Sequence, residues 1–250
     1  SATALAPLVL FPPLGITDIE GAASPYANPL IFLFLGGFLL AQAMQRWRLH
    51  RRVALGIVQG IGTKPRSIII GFLLASAFLS MWVSNTATAL MMLPIALSII
   101  DFVRDHLEAR DETMPPHFPL VLLLGVAYAC NVGGMGTLIG TPPNALLAGF
   151  FSETYGVEIG FAQWMIVGLP LVAVALPLVY TVLTWVYPIE LDRLPGGAQI
   201  IDAEQEALGR ITSAEGRVAV VFVLTAALWM TRPVLADLLP GLSDAGIAIG

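Results

Sequence analysis

The chain has 250 residues, of which 57% are hydrophobic and 12% are charged, and its formal net charge is −5. Soluble domains usually have about 25% charged residues. This composition, with a mean hydropathy of +0.83, therefore excludes an ordinary soluble protein and predicts a polytopic membrane protein. The single cysteine, Cys130, excludes an internal disulfide framework and a metal site built from cysteines. The lipid bilayer is the expected surrounding, and nucleic acid is not expected as a partner.

Both ends of the chain lie in apolar sequence. Residues 2–16 are apolar, with two prolines near their end, and are typical of a membrane span or the remnant of one. A new apolar run starts near residue 244 and stops at Gly250. Ser1 is not followed by a basic leader or a cleavage pattern. We therefore expect this chain to be an internal fragment and the natural protein to continue in both directions.

The next span is predicted to begin at Pro29 and to end near Gln45. A basic cluster with an interfacial tryptophan follows it, Arg46-Trp-Arg-Leu-His-Arg-Arg52. Residues 53–62 continue as a short apolar-rich segment and predict an amphipathic helix that lies in the membrane surface.

A long apolar run from Ser67 to Ile100 contains no charged residue and no histidine. One straight helix of this length would be roughly 50 Å long, against about 30 Å of bilayer hydrocarbon. The run is too short for two spans and a turn, and its middle is the polar sequence Ser-Met-Trp-Val-Ser-Asn-Thr-Ala-Thr at 80–88. It predicts a re-entrant hairpin of two half-length helices that turns at this island. A long helix with a few tolerated hydroxyl groups is the alternative.

A second apolar run, at 118–150, is predicted to be a discontinuous helix that breaks near Gly140. Pro142 and Pro143 follow the glycine, and prolines remove backbone donors and clash with the preceding helical turn. Asn144 completes this structural helix break.

The rest of the chain predicts further helices, so the fold class is all-α. A span is expected at about 163–187. A polar segment at 188–216 follows, with a charged helical stretch at 202–210, and another span is expected at about 217–236.

The basic residues predict the orientation. The segments 46–66, 101–117 and 188–217 contain eleven of the twelve lysines and arginines, and only Arg232 falls toward the opposite face. The positive-inside rule makes the richer side cytoplasmic. Both flanks of the 67–100 run then lie on this side, which supports a hairpin that enters from the cytoplasm.

The island at 80–88 offers oxygen ligands at membrane depth. Ser80 and Ser84 are four residues apart and lie on one helical face. With a carbonyl near Asn85 they predict an oxygen cage that suits sodium, by extension of the oxygen preference of hard cations. Asn85 and Thr86, at the start of the second half-helix, are placed to donate to a carboxylate. The alternative is that both serines only bond to carbonyl groups one turn earlier.

Two motifs in this sequence resemble a known family. Ser84-Asn85-Thr86, followed by Met91-Met-Leu-Pro94, resembles the first signature of the divalent anion/sodium symporter family. Gly133-Gly134 through Thr137-Leu-Ile-Gly-Thr-Pro-Pro-Asn144 resembles its companion segment, and Leu35-Gly-Gly-Phe-Leu-Leu-Ala41 also fits. The resemblance covers nearly the whole chain.

The resemblance implies a multi-pass plasma membrane transporter, of the bacterial inner membrane type, and not an enzyme. Members of this family are homodimers with two inverted repeats, in which a transport domain moves like an elevator against a scaffold domain. They couple sodium, as the coupling ion without any other cofactor, to the symport of dicarboxylates such as succinate, of citrate, or of sulfate. The alternative is a sodium-independent dicarboxylate or anion exchanger of the same fold.

The resemblance also implies roles for individual residues and segments. The implied sodium ligands are Ser80, Ser84, Asn85 and Gly140. The implied substrate ligands are Asn85, Thr86 and Thr141. The implied scaffold comprises residues 1–66, including the interfacial helix, and the helices of 189–250 after a cytoplasmic connector. The implied transport half is 67–188, with the hairpin at 67–105, the broken helix at 118–150 and the helix at 163–187.

One departure from the family pattern bears on function. Members carry a second Ser-Asn-Thr hairpin in the other repeat, whereas this chain has only one such tripeptide. We therefore expect half of the substrate site and the second sodium site to lie outside this chain. A channel is disfavoured because no ring-forming charges are found in the apolar runs. A membrane enzyme is disfavoured because these runs have no acids or histidines for catalysis.

Overall fold

The protein is helical throughout the part described by this computed structural model, residues 2–62, 64–191, 197–235 and 238–250. Its α-helices, in chain order, are α1 (Ala6–Leu10), α2 (Ile19–Ala23), α3 (Pro29–Arg46), α4 (Leu49–Ile61), α5 (Pro65–Ser80), α6 (Asn85–Glu108), α7 (His117–Gly134), α8 (Pro142–Tyr155), α9 (Phe161–Val186), α10 (Gly197–Leu208), α11 (Ser213–Leu235) and α12 (Asp244–Ile249). Short 3-10 turns at Ala2–Leu5 and Ser24–Ala27 precede α1 and α3. Five of these helices, α3, α6, α7, α9 and α11, are long and apolar enough to cross a membrane. The predicted all-α organisation with several apolar helices is confirmed.

The first apolar segment, residues 2–16, does not form a membrane-spanning helix. Its α-helix, α1, has only five residues and is followed by turns around Pro12 and Pro13. Five residues of helix rise by about 7.5 Å, so the span alternative for 2–16 is wrong. Pro12 and Pro13 explain the difference, because each removes a backbone donor that a helix continuing through them would need.

The spans predicted further along the chain are confirmed as helices. In α3, Pro29 occupies the first turn and the Asn28 side chain accepts a hydrogen bond from the Leu30 amide at 2.9 Å. This is the residue pattern that favours a helix start. The spans predicted at 163–187 and 217–236 correspond to α9 and α11, and the charged helical stretch at 202–210 corresponds to the C-terminal part of α10.

The long apolar run at 67–100 is broken where the polar island was predicted to turn. Helix α5 ends at Ser80 and α6 begins at Asn85, so the alternative of one uninterrupted helix is wrong. The second arm is longer than the predicted half-length helix, because α6 has 24 residues and continues past Ile100 into charged sequence. Its apolar part, 85–100, matches the 16 residues of α5 in length.

Helix α7 lies in the middle of the larger hydrophobic core. Its buried residues include Phe118, Val121 and Leu122, and they belong to one cluster with residues of α4, α5, α6, α9 and α10. At its C-terminal end, α7 comes very close to α5: a Cβ on Gly133 would overlap the backbone of Ala77. This close approach positions the end of α7 beside the end of α5.

Helix α4 is amphipathic, but its apolar face is covered by protein. Leu55 and Val58 are buried in the same cluster as residues of α5, and Val58 lies against Gly71. The amphipathic helix predicted here is thus present, and its location in the membrane surface stays a prediction. Burial of the apolar face against α5 removes both surfaces from water.

The polar side of α4 is joined to α10 and α11 by charged and amide groups. Arg51 forms an ion pair with Glu204, and Arg52 Nε lies 2.5 Å from Glu215 Oε1. Gln59 donates to Asp202 at 3.0 Å. Helix α4 is therefore held between the apolar helix α5 and the polar helix α10.

A second, smaller core surrounds the two helix breaks. The Trp82 and Phe161 rings stack with centroids 6.0 Å apart, and Phe161 stacks on Trp229 at 4.6 Å. Phe222 meets the same Trp82 ring edge-on at 4.8 Å. The turn between α5 and α6 is thus packed against α9 and α11.

The burial of His50, in α4, should make the stability of the protein depend on pH. Burial lowers the pKa of His50, and its hydrogen bond to the Met44 carbonyl, 2.7 Å from Nδ1, offsets this only in part, while the neighbouring Arg51 lowers it further. Because the unfolded chain binds the proton more readily, the stability due to neutral His50 is present above pH 6.5 and is lost as the pH falls through the folded-state pKa.

We therefore expect the thermal unfolding midpoint of the full-length protein to fall between about pH 7 and pH 5. The midpoint of His50→Gln should fall less over the same pH range, because the contribution of His50 is absent. Both midpoints are measured by fluorescence melts at matched ionic strength. An identical pH dependence in the two proteins would contradict the assignment.

Candidate functional site: two helix breaks that meet

The first helix break lies between α5 and α6. Ser84 is the N-terminal cap of α6, and its hydroxyl accepts a hydrogen bond from the Ala87 amide at 3.4 Å. Trp82 and Val83 are buried, whereas Ser84 is exposed. The apolar residues of the turn therefore anchor it in the protein, and the polar ones face outward.

A chain of side-chain hydrogen bonds links this break to α7. The fully buried Ser80 hydroxyl donates to Asn85 Oδ1 at 2.6 Å. Asn85 Nδ2 donates to Asn131 Oδ1 at 3.2 Å, and Asn131 Nδ2 donates to the Ala127 carbonyl at 3.1 Å. The orientations of the amide groups are thus set by one continuous network.

The second helix break lies between α7 and α8. Helix α7 ends at Gly134 and α8 starts at Pro142, so the break is at 135–141. The Asn144 amide closes it, because Nδ2 donates to the carbonyl groups of Gly134 and Thr137, each at 2.8 Å. Trp164 in α9 holds the same loop by a hydrogen bond from Nε1 to the Met135 carbonyl at 2.9 Å.

The two breaks are in direct contact. The Thr137 hydroxyl, fully buried, donates to the Met81 carbonyl and also accepts from the Gly140 amide at 3.1 Å. The Asn85 side chain lies against Gly134, where a Cβ would overlap it. The carbonyl ends of α5 and α7 and the amide end of α6 are therefore collected in one small region.

The comparison with known sequences identifies the family. The profile of the citrate transporter family, CitMHS, matches residues 1–249. The chain belongs to this family. The expected relationship to a family of anion transporters is thereby confirmed.

Curated relatives of this citrate transporter family member are named sodium-dependent dicarboxylate transporter SdcS. They come from Staphylococcus aureus strains USA300, NCTC 8325 / PS 47 and COL. Each is 44% identical over 254 aligned residues, which cover 100% of this chain and 49% of the relative. The chain spans about half the length of these relatives. Together with the five apolar helices, the family makes it a multi-pass protein of the plasma membrane.

In this citrate transporter family member, the predicted sodium ligands fall into two groups. Ser80 and Asn85 are in contact, and Gly140 packs against the carbonyl of Gly134. Ser84 is instead used as a helix cap on the exposed side of the turn. The serines do not share one role: only Ser80 is in the buried network.

The predicted substrate ligands lie at the edges of the two breaks. Thr86 is exposed in the first turn of α6, and Thr141 is half-buried at the start of α8. Asn85 is half-buried and belongs to the hydrogen-bond network with Ser80 and Asn131. Pro142 and Pro143, predicted as part of the break, form the first turn of α8 and are exposed.

Two residues of the site were missed by reasoning from the sequence. Thr137 connects the two breaks, and Gly134 makes room for Asn85. A signal was present, since both belong to the glycine-rich stretch before Gly140, where a lone threonine among apolar residues needs a hydrogen-bond partner.

The oxygen atoms of this site come from hydroxyl, amide and backbone carbonyl groups. Across the described ranges, no group of three or more His, Cys, Asp and Glu side chains is placed to hold a metal ion. Neutral oxygens suit a hard cation and not a soft transition metal. With the amide end of α6 beside them, the same region offers donors to an anion.

Proposed function

We propose that the complete protein is a secondary transporter that couples sodium to the symport of a dicarboxylate across the plasma membrane. The observation that carries this proposal is the contact between two helix breaks through Thr137 and Asn85. Its second support is that relatives 44% identical over the whole chain are named sodium-dependent dicarboxylate transporter. Transporters commonly build ion and substrate sites from discontinuous helices of this kind.

Sodium would be held by oxygens of Ser80 and Asn85 together with the break at Gly140. Ser84, whose hydroxyl caps α6 in this structure, would have to turn toward the ion to complete the predicted set. The Ser80 hydroxyl and Asn85 Oδ1 are 2.6 Å apart. In a sodium-bound state, the hydroxyl proton would turn away so that both oxygens point at the ion. Carbonyl groups at the C-terminal end of α5 carry partial negative charge and would complete the ligand set.

A carboxylate group of the substrate would bind on the outer side of the same break. Asn85 and Thr86 open α6, whose N-terminal end has partial positive charge. Thr141 at the start of α8 would contribute from the second break. The ion and the substrate would then share Asn85, which gives a direct physical reason for coupling.

The arrangement in the membrane follows from lengths and charges. Helix α5 and the apolar part of α6 have 16 residues each, or about 24 Å, which is short of the roughly 30 Å hydrocarbon layer. Their outer flanks have basic residues, Lys64 and Arg66 around the start of α5 and Arg104 and Arg110 after the apolar part of α6. A re-entrant hairpin that enters from the cytoplasm satisfies both observations.

Movement of the site would follow the elevator scheme of the family. The transport half would comprise 67–188, with scaffold helices in 1–66 and 189–250. The complete protein would be a homodimer, with the second repeat supplying the other half of the substrate site.

The test is uptake of labelled succinate by the full-length protein in proteoliposomes. Uptake should rise with an inward sodium gradient and fall to background when sodium is replaced by potassium. Uptake that is indifferent to the sodium gradient, or counterflow that proceeds without sodium, would instead select the exchanger.

A further inference from the structure

The corner between α3 and α4 presents a compact basic surface, which we name the basic corner: Arg46, Trp47 and Arg48. Both arginines are exposed, and 44% of Trp47 is exposed. Arg46 is the last residue of the apolar helix α3, so the corner lies where a candidate span meets the membrane surface. We infer that the basic corner binds the headgroup of an anionic phospholipid.

The charges of the corner are available to a ligand, unlike those of the following helical turn. Arg51 and Arg52, in α4, form ion pairs with Glu204 and Glu215. Among the described residues, Arg46 and Arg48 have no carboxylate within salt-bridge distance. The charges of Arg51 and Arg52 are therefore neutralised within the protein, whereas Arg46 and Arg48 face outward.

The backbone at Arg48 points to a role for its side chain. Arg48 has φ +57°, in the left-handed region, and makes the sharp turn from α3 into α4. Glycine makes such a turn without steric cost, whereas the Cβ of a non-glycine residue there approaches the following carbonyl oxygen too closely. An arginine at this position is thus explained better by what its guanidinium binds than by the turn itself.

The phosphodiester of a lipid complements the positive charge of the basic corner, and it lies at the same level of the bilayer. Guanidinium groups bind phosphate oxygens through paired hydrogen bonds. Tryptophan prefers the headgroup level of the bilayer, and the positive-inside rule assigns this end of α3 to the cytoplasmic leaflet, where anionic lipids attract juxtamembrane basic segments. A soluble phosphate would gain from the two arginines but not from Trp47, so the bilayer lipid is the ligand.

Lys64 and Arg66 extend the same surface at the far end of α4. Both are exposed, and they flank the buried Pro65 that starts α5. Helix α4 has 13 residues, or about 20 Å, so a second headgroup would bind there independently. Lipid bound at the two ends would hold α4 level with the membrane surface while its apolar face stays on α5.

The experiment is a titration of the full-length protein in neutral detergent with phosphatidylglycerol, with phosphatidylcholine as the reference lipid, read by native mass spectrometry. The variant is Arg46→Gln/Arg48→Gln. The matched control is Arg104→Gln/Arg110→Gln, which removes the same charge from exposed residues that have acidic neighbours.

We expect the affinity for phosphatidylglycerol to fall about fivefold for each arginine removed from the corner, or about 25-fold in the double variant. The control should stay within about twofold, and raising the salt concentration should shrink the difference. Arg46→Lys/Arg48→Lys keeps the charge but not the paired hydrogen bonds. It should bind phosphatidylglycerol more tightly than the double glutamine variant, which separates loss of charge from misfolding.

An unchanged preference for phosphatidylglycerol in the double glutamine variant would overturn the inference, and so would an equal loss in the control. Equal competition by inorganic phosphate at the same concentration would also overturn it, because the ligand would then be a soluble anion. These outcomes do not depend on sodium or succinate, so they are distinct from a failure of the proposed transport.

Discussion

Replacement of Asn85 by alanine is expected to abolish sodium-driven uptake by the full-length protein. The substitution removes the acceptor of the buried Ser80 hydroxyl and the donor to Asn131 in one step. In the proposed function, it also removes an ion ligand and a donor to the substrate carboxylate. A hydrogen bond to a charged group contributes about 1.5–3 kcal/mol, so the loss of two of them lowers transport by about a hundredfold or more.

The measurement is the initial rate of succinate uptake in proteoliposomes, with the amount of folded protein determined by size-exclusion chromatography. Asn28→Ser is the matched control, because among the described residues the Asn28 side chain hydrogen-bonds only to the start of α3, and serine keeps the capping oxygen. Uptake by Asn85→Ala at the wild-type rate would mean that Asn85 only packs the end of α7.

A second readout separates binding from folding. Sodium should raise the thermal unfolding midpoint of the wild-type protein, because a ligand that binds only the folded state stabilises it. The Asn85→Ala protein should be folded in the absence of sodium and should show no such rise. If the Asn85→Ala protein did not transport but showed the full rise in midpoint with sodium, Asn85 would be a substrate ligand and not a sodium ligand.

The sequence was sufficient to predict where the helices break but not how the breaks are joined. The 67–100 run had to be interrupted, since its length matches neither one span nor two, and the polar island marked the position. The contact between Thr137 and Met81 involves a backbone carbonyl 56 residues away in the chain. No periodicity or propensity reports such a pairing, because it arises only when α5 and α7 pack side by side.

The differing roles of Ser80 and Ser84 show the same limit. Four-residue spacing places both on one face only if the helix continues between them, and here the helix ends at Ser80. Ser84 therefore caps the next helix, while Ser80 bonds to Asn85. For α4, the amphipathic pattern was visible in the sequence, but the pattern does not say whether the apolar face meets lipid or protein.

Replacement of Gly133 by alanine is expected to cause the largest loss of stability among the substitutions considered. An added Cβ would overlap the carbonyl oxygen and the Cα of Ala77 in α5. These are backbone atoms within a helix, which cannot rotate away, so α5 and α7 would have to separate and open the core around them. We expect a loss of about 3 kcal/mol or more, seen as a lowered unfolding midpoint in detergent and a lowered yield of folded full-length protein.

Two other glycines make this a graded test of the packing. A Cβ on Gly216, in α11, would meet nothing within 4 Å, so Gly216→Ala should leave the stability unchanged or raise it by up to about 1 kcal/mol. A Cβ on Gly125 would meet the Leu73 Cδ1 methyl at 2.6 Å, which a change of rotamer relieves, so Gly125→Ala should be intermediate. If all three substitutions destabilised the protein equally, the loss would not follow the overlap that an added Cβ makes at each glycine, and the close approach of α5 and α7 at the site would be contradicted.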